Sequence, residues 1–401
     1  MRPWWQPQGV ARRFVTDLVA GEMARQRRAG VPPMSEWQGG WRLDEDLGAD
    51  SLELVALATA LAEALHLHES GIEDYLLARR TLDDWVAIAQ AGLERFSARL
   101  TFRTSGSSGV PKPCVHPLAD LLQETQHLAT LLPGRRRVLC AVPSHHIYGF
   151  LFSVLLPRDL GLDPEDVIDL RVSTPSWLSR GARPGDLVIA HPMFWQATAR
   201  TVPQLPPDVV GVSSTAPCPD AVAEALQAAG LARLVQVYGS SETAGIAARD
   251  SHEQPFTLFP YWRAAGGSDL VRTLAGGGES THAAPDRLDF CGPRSFRVSG
   301  RHDAAVQVGG INVFPGRVRE VLRRHPDVHD AAVRLMRPEE GERLKAFVVP
   351  RPGVAADDAF AGGLRAWVDR ELAVPERPRA FRFGNALPES AAGKPADWDL
   401  E

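Results

Sequence analysis

The spacing of apolar residues changes at about residue 98, and this change limits the architectures open to the chain. Before it, apolar residues recur at helical intervals. Val10, Phe14, Leu18 and Met23 mark one face of a helix predicted over residues 8–29. A Pro/Gly/Trp-rich stretch runs from there to about Asp46. A second helix starts at Ser51, with Leu54, Val55, Ala58, Leu61, Ala62 and Leu65 as its apolar stripe. Short turns lead to a last helix, Leu82 to Leu93, with Thr81 as its N-cap. The pattern predicts an all-α four-helix bundle over residues 1–96. Its charge is lopsided: from Leu43 to Ala78 there are nine acidic residues and no Lys or Arg.

Beyond residue 98, short β-rich runs alternate with helical stretches. The strands are expected at Arg137–Val142, Asp186–Ala190, Val209–Val212 and Leu234–Tyr238, and the helices at Leu118–Leu132 and Asp220–Ala229. Such alternation predicts an α/β domain with a largely parallel sheet over residues 97–299. Residues 264–284, rich in Gly, Ala, Ser and Thr, read as a surface loop. A smaller α+β domain follows over residues 300–401. Its helices are expected at Gly316–Arg324 and Asp357–Leu372, and its strands at Val328–Leu335 and Arg343–Val349.

Composition narrows the function. A net charge of −5 offers no basic surplus for nucleic acid. Cys114, Cys140, Cys218 and Cys291 lack zinc-site spacing and read as free thiols in a reducing cytoplasm. The N-terminus lacks the apolar stretch of a signal peptide, and the strongest apolar run, Gly149 to Leu156, is too short to span a bilayer. The expectation is a cytoplasmic protein with no nucleic-acid or membrane partner. Only three lysines stand against 41 arginines. Source nucleotide composition accounts for the bias, yet Lys112 and Lys394 both adjoin glycine-rich segments. Lysine is a compact point charge on a flexible stem, where arginine is a planar fork.

Lys112 closes the run Thr104-Ser105-Gly106-Ser107-Ser108-Gly109-Val110-Pro111-Lys112. It is no Walker loop, because proline precedes the lysine. Its hydroxyls and unhindered backbone N–H groups suit polyphosphate oxygens. Downstream, in order, stand Gln236-Val237-Tyr238-Gly239-Ser240-Ser241-Glu242-Thr243, then Asp286, then Ser299-Gly300-Arg301-His302-Asp303 with Gly309-Gly310, and last Gly393-Lys394. Together these motifs resemble the adenylate-forming superfamily of acyl- and aryl-CoA ligases and adenylation domains, over about residues 98–401. The resemblance implies ATP and Mg as cofactors and a role for each position. Thr104 to Lys112 would hold the β- and γ-phosphates. Thr215-Ala216-Pro217 and Tyr238-Gly239 would flank adenine. Ser241, where the family usually has threonine, would touch the α-phosphate, and Glu242 would bind Mg. Asp286 and Arg301 would bind the ribose. Asp303 would be the hinge of a mobile C-terminal domain, Lys394 the cation at the α-phosphate, and Gly309-Gly310 the neighbours of the incoming thiol. Pro143-Ser144-His145-His146-Ile147-Tyr148-Gly149-Phe150 resembles the segment that opens the acyl pocket in hydroxycinnamate-type ligases, with His146 at the family's histidine.

The first 96 residues resemble an acyl or peptidyl carrier protein. Leu47-Gly48-Ala49-Asp50-Ser51-Leu52 puts a serine at a helix start, and Thr81-Leu82-Asp83-Asp84-Trp85 opens the last helix. Alone, Ser51 would read as an N-cap. The resemblance makes it the attachment point of 4'-phosphopantetheine, modified by a phosphopantetheinyl transferase, with the acidic helix facing basic partners. Ser214 and Val237 stand where the family often has glycine, so the acid pocket is expected to be short and the acid aromatic. The family's large N-terminal subdomain is expected to be missing, and a homodimer is one way to cover the exposed sheet. The reading is an acid–thiol ligase that adenylates a carboxylic acid and passes it to a carrier thiol, its own on Ser51 or a partner's. Two alternatives stand beside it: a ligase using free CoA, and a non-catalytic carrier module on a degenerate ligase scaffold.

Overall fold

The computed structural model describes residues 2–27, 31–32, 34–103, 112–302, 305–309, 311–337, 340–341, 343–388 and 396–400. Four helices lead: α1 (Val10–Gln26), α2 (Ser51–Leu65), α3 (Tyr75–Ala78) and α4 (Leu82–Arg95). Asp50 caps α2, accepting from the Leu52 and Glu53 amides at 2.8 Å each, and the Thr81 hydroxyl accepts from the Asp84 amide to cap α4. Strands β1 (Arg99–Arg103) and β2 (Pro113–Pro117) pair antiparallel. Next come α5 (Leu118–Leu131), β3 (Arg137–Cys140) and α6 (Ile147–Phe150), which runs through a π-helical turn into α7 (Leu156–Asp159). Then follow β4 (Val167–Asp169), α8 (Leu178–Gly181), β5 (Asp186–Ala190), α9 (Pro192–Thr201), β6 (Val210–Ser213), α10 (Asp220–Ala228), β7 (Arg233–Ser240), β8 (Ala244–Arg249) and β9 (Phe256–Leu258).

The expected surface loop at 264–284 is instead a three-stranded antiparallel sheet, β10 (Trp262–Gly266), β11 (Asp269–Thr273) and β12 (Glu279–Ala283). Its small polar residues occupy exposed strand positions and turns, while Leu270, Val271 and Arg272 are buried. Strands β13 (Asp286–Phe290) and β14 (Ser295–Arg301) complete a nine-stranded sheet of order β13-β14-β9-β8-β7-β6-β5-β3-β4. From β4 to β7 the pairing is parallel; from β7 through β8 and β9 to β14 it is antiparallel. The sheet is therefore mixed rather than largely parallel.

The parallel strands are covered on both faces, as their near-continuous apolar runs require. On one face Val138, Cys140, Leu187, Ile189, Val212 and Val235 join a core that also contains Trp4, Phe14, Val19, Leu57, Leu61 and Trp85. On the other, Leu139, Val188, Ala190 and Leu234 pack with Trp195, Val222 and Leu226. Met1–Thr104 and Lys112–Ser299 thus form one compact unit. The four helices do not close a core of their own, and the expected carrier bundle over 1–96 is not shown. Part of the acidic stretch is ion-paired within the chain. Arg27 pairs with Glu53, Arg103 with Glu63, Arg99 with Glu69, and Arg80 with Asp44.

Gly300–Glu401 belongs to the second unit. Within it β15 (Val306–Val308) and β16 (Ile311–Val313) form a hairpin, and α11 (Pro315–Arg323) follows. Strand β17 (Val328–Leu335) pairs antiparallel with β18 (Leu344–Pro350), which takes β19 (Ala380–Phe383) in parallel on its other side; α12 (Asp358–Glu371) lies between β18 and β19 in the chain. Val318, Leu322, Leu364 and Val368 pack on Ala331, Leu344, Ala346 and Val348. No helix among the described residues is long and apolar enough to cross a membrane.

A shared core makes the N-terminal helices inseparable from the sheet. Phe14→Ala is expected to cost about 3–5 kcal/mol and to lower one unfolding transition followed by both tryptophan fluorescence and far-UV dichroism. A fragment of residues 1–96 is expected to remain unfolded. A folded fragment with dispersed amide resonances would restore the independent bundle.

Candidate active site

The sequence-selected residues of the larger unit gather at the carboxyl ends of its parallel strands, where open α/β sheets present their ligand crevice. Thr215, Ala216 and Pro217 follow β6; Thr215 adopts φ 78°. The segment is fixed beside β7 by the Ser214 hydroxyl, which donates to the Val237 carbonyl at 2.9 Å. One residue on, the Tyr238 hydroxyl donates to Asp286 Oδ2 at 2.7 Å. Two candidates 48 positions apart therefore meet, and Asp286 is largely buried at the start of β13.

The turn from β7 to β8 carries Ser241 and Glu242. Gly239 precedes it where a Cβ would lie 2.1 Å from the Ala244 carbonyl oxygen, and Ala244 itself takes φ 58°. Three side chains from elsewhere hold this turn. His116 Nε2 donates to the Ser241 carbonyl at 2.7 Å, with the ring kept neutral by burial. Arg272 Nη1 reaches the Thr243 carbonyl at 3.4 Å while its Nη2 donates to the Asp120 carbonyl at 2.6 Å. Glu124 Oε1 accepts from the Gly245 amide at 2.9 Å. Glu242 is exposed, and so is Lys112 at the start of β2. Both act on the Cys114 thiol, whose pKa is pushed up to about 11 by burial and next by Glu242, with Lys112 opposing. The thiol is therefore no nucleophile at neutral pH. An exposed carboxylate and an ammonium group thus stand near one thiol, a hard oxygen donor and a cation of the kind that complement a metal–polyphosphate.

At the other side of the crevice, the Tyr148 hydroxyl lies 3.1 Å from the carbonyls of Ala190 and Val212, so α6 stands over the ends of β5 and β6. His146 precedes α6 with its ring 4.4 Å from that of His145; the residue keeps exposed surface, yet burial lowers the pKa of its ring, with Asp17 opposing.

The remaining candidates lie on other elements, in the second unit or outside the described residues. Ser51 is exposed at the first residue of α2, and the cap is Asp50 rather than Ser51. Arg301 ends β14, and Gly309 turns the β15–β16 hairpin with φ 62°. Thr104, Ser105, Gly106, Ser107, Ser108, Gly109, Asp303, Gly310 and Lys394 lie outside the described residues. Among the described residues, His66, His68 and Glu69 form a further group with metal-ligand atoms. Glu69 is already paired with Arg99, and His66 Nε2 with the Thr101 hydroxyl, so the group is ill suited to a cation.

The pattern of the AMP-binding enzyme C-terminal domain matches residues 318–394. A 4-coumarate–CoA ligase of Rhodobacter capsulatus is 41% identical over 407 residues, which cover 97% of this chain and all of that protein. The chain belongs to the AMP-binding enzymes, among the acyl- and aryl-CoA ligases. A 4-coumarate–CoA ligase of Cereibacter sphaeroides is 42% identical over 89% of this chain and 85% of its own. The o-succinylbenzoate CoA synthetase of Bacillus subtilis shares the fold, with a TM-score of 0.61 at 16% identity over 95% of this chain and 90% of that one. The expected loss of a subdomain is thus not shown, since relatives are matched over their full or nearly full length. As an AMP-binding enzyme, the protein activates a carboxylic acid with ATP.

The residues missed in the sequence are those that hold the site rather than line it. His116, Glu124 and Arg272 lie on elements far from the turn they secure. Burial raises the Glu124 pKa to about 8, so its carboxyl is neutral in the folded protein at pH 7. A folded pKa above the unfolded value means that the native state binds the extra proton. Stability should therefore fall as pH rises from about 4.5 to about 8. Glu124→Gln keeps an acceptor for Gly245 and is expected to flatten this slope, read as melting temperature against pH. An unchanged slope would show that Glu124 is ionised in the native state.

Proposed function

We propose that the protein is an AMP-forming aryl-CoA ligase acting on a hydroxycinnamate-type acid, with free CoA as the thiol acceptor. The observation that carries the reading is the end-to-end similarity to proteins named 4-coumarate–CoA ligase, whose matched length includes the N-terminal helices. Those helices are part of the larger unit's core, which leaves no separate carrier domain to present a thiol.

In this reading Tyr238 and the Thr215-Ala216-Pro217 segment bracket adenine, and Asp286 takes the ribose hydroxyls while bonded to Tyr238. Thr104 to Lys112 wraps the β- and γ-phosphates, Ser241 touches the α-phosphate, and Glu242 holds Mg, which draws charge from the phosphate oxygens. His146 lines the acid's side of the crevice, which Ser214 and Val237 shorten. The acid's carboxylate attacks the α-phosphorus, the acyl–O–P bond forms, and pyrophosphate leaves. Negative charge builds at the α-phosphate in this step, and a lysine ammonium placed there lowers the barrier. Lys394 is assigned that role. The smaller unit then turns about Asp303, bringing Gly309 and Gly310 to the CoA arm. The CoA thiolate displaces AMP from the acyl carbon, and the thioester is released.

Lys394→Ala is expected to lower 4-coumarate-dependent pyrophosphate release by about 10²–10³, with the melting temperature unchanged. Ser51→Ala is expected to leave the rate of 4-coumaroyl-CoA formation unaltered. An acyl adduct on Ser51 detected by mass spectrometry after treatment with a phosphopantetheinyl transferase would restore the carrier reading. Pyrophosphate release with no aryl acid would remove the substrate class.

A further inference from the structure

We infer that helix α1 is a working part of the acid-binding side of the crevice, with Asp17 as the positioning residue that holds Ser144-His145-His146. The inference rests on the reading of His146 as a residue lining the acid site. Asp17 lies in the middle of α1, where a helical aspartate would ordinarily face water; it is only 3% exposed. Its Oδ2 accepts from both the amide and the hydroxyl of Ser144, at 2.7 and 2.6 Å. Its Oδ1 accepts from Arg171 Nη2 at 2.7 Å, and Arg171 is held in turn by Asp169 at the end of β4, Nε to Oδ1 at 2.9 Å. Ser144 is itself buried, so its amide and hydroxyl have this carboxylate in place of water. The carboxylate thus fixes the backbone two residues before His146, at the point where the chain leaves β3 for α6.

One turn along α1, Gly21 makes a second contact with the same segment. A Cβ at Gly21 would lie 2.6 Å from His145 Nε2, so the glycine leaves room for the imidazole to rest against the helix. His145 is tilted against His146. The two contacts grip consecutive residues, Ser144 by hydrogen bonds and His145 by shape. Next in the segment is His146, whose residue surface is exposed although burial of the ring lowers its pKa, with Asp17 of α1 acting in the opposite direction. The arrangement gives the N-terminal helices a function that neither a docking bundle nor a carrier would have. They form the back wall of the acid site and set where its histidine stands.

A role in positioning predicts a selective defect. Asp17→Asn and Gly21→Ala are each expected to raise the KM for 4-coumarate about ten- to a hundredfold while the KM for ATP changes less than twofold, measured by pyrophosphate exchange on the full chain. His146→Ala is measured alongside. A selective rise in both variants supports the inference. If His146→Ala raises the acid KM but Asp17→Asn and Gly21→Ala do not, or if they shift both KM values together, the inference is overturned and the acid-site reading stands. If His146→Ala leaves the acid KM unchanged, the acid-site reading fails and takes the inference with it. Should Asp17→Asn fail to fold, Gly21→Ala decides, since it keeps every hydrogen bond of the network.

Discussion

Trp4, Phe14, Phe102 and Phe150 meet inside the larger unit, with Phe150 at 5.0 Å from Trp4, 5.7 Å from Phe14 and 5.4 Å from Phe102. Trp4 stands before the first helix, Phe14 is on α1, Phe102 is on the β1–β2 hairpin, and Phe150 ends α6. Such ring pairs add about 0.5–1.5 kcal/mol each beyond the area they bury, but their arrangement matters more than their energy. They join the start of the chain to β1, the first strand of the hairpin in which Lys112 adjoins β2, and to the helix that His146 precedes. A carrier domain on a linker could not meet this constraint, because it must be free to travel. The same rings that stabilise the unit therefore argue for a diffusible acceptor such as CoA.

Electrostatics point the same way. An acidic helix serves as a docking face only while its charge is available. Here Arg27 binds both carboxylate oxygens of Glu53, at 2.6 and 2.7 Å, and also donates to the Leu47 and Gly48 carbonyls. The loop before Ser51 is thus locked to the end of α1. The pair is bidentate and only 17% exposed on each side, and it takes up the Glu53 charge that a basic partner would need. Leu52, 80% exposed beside Ser51, shows that this end of α2 still faces solvent; accessibility alone does not make Ser51 a modification site.

Local pattern made much of this readable in the sequence. Helical spacing located α1, α2, α4, α5 and α10 to within a few residues, and β5 and β17 fell where their apolar runs lay. The motif order named Tyr238 and Asp286, which then proved to share a hydrogen bond. The misreadings have one physical source: the deciding partner is distant in sequence. Asp17 looks like a solvated helix charge until Ser144, 127 residues away, supplies its donors. The apolar stripes of α1, α2 and α4 fit a closed bundle equally well as one layer of a larger core. In residues 264–284 Gly, Ala, Ser and Thr dominate the composition and favour a loop, although the buried run Leu270-Val271-Arg272 carries the strand.

The three lysines show the same limit. Lys112 and Lys394 adjoin glycine-rich segments, while Lys345 lies in the run Arg343-Leu344-Lys345-Ala346-Phe347 with no glycine beside it. In the structure Lys345 is fully buried, and its Nζ donates to Glu340 at 2.7 Å, to Asp397 at 3.3 Å and to the Trp398 carbonyl at 2.7 Å. It sits on the face of β18 opposite the α11–α12 core, beneath Trp398 and beside Phe347. A buried ammonium is tolerated only when charge and hydrogen bonds surround it, so Asp397 and Trp398 are held where Lys345 can be satisfied. Those residues follow Lys394 by three and four positions. In the proposed reading Lys394 is the cation at the α-phosphate, and the chain that follows it is fixed by Lys345 together with Arg337, whose Nε donates to Asp397 at 2.7 Å. Arginine's larger planar fork would need more room than the compact ammonium occupies at this fully buried position. The rarity of lysine in this chain therefore has a physical counterpart at a third position, one that chemistry alone would not have singled out.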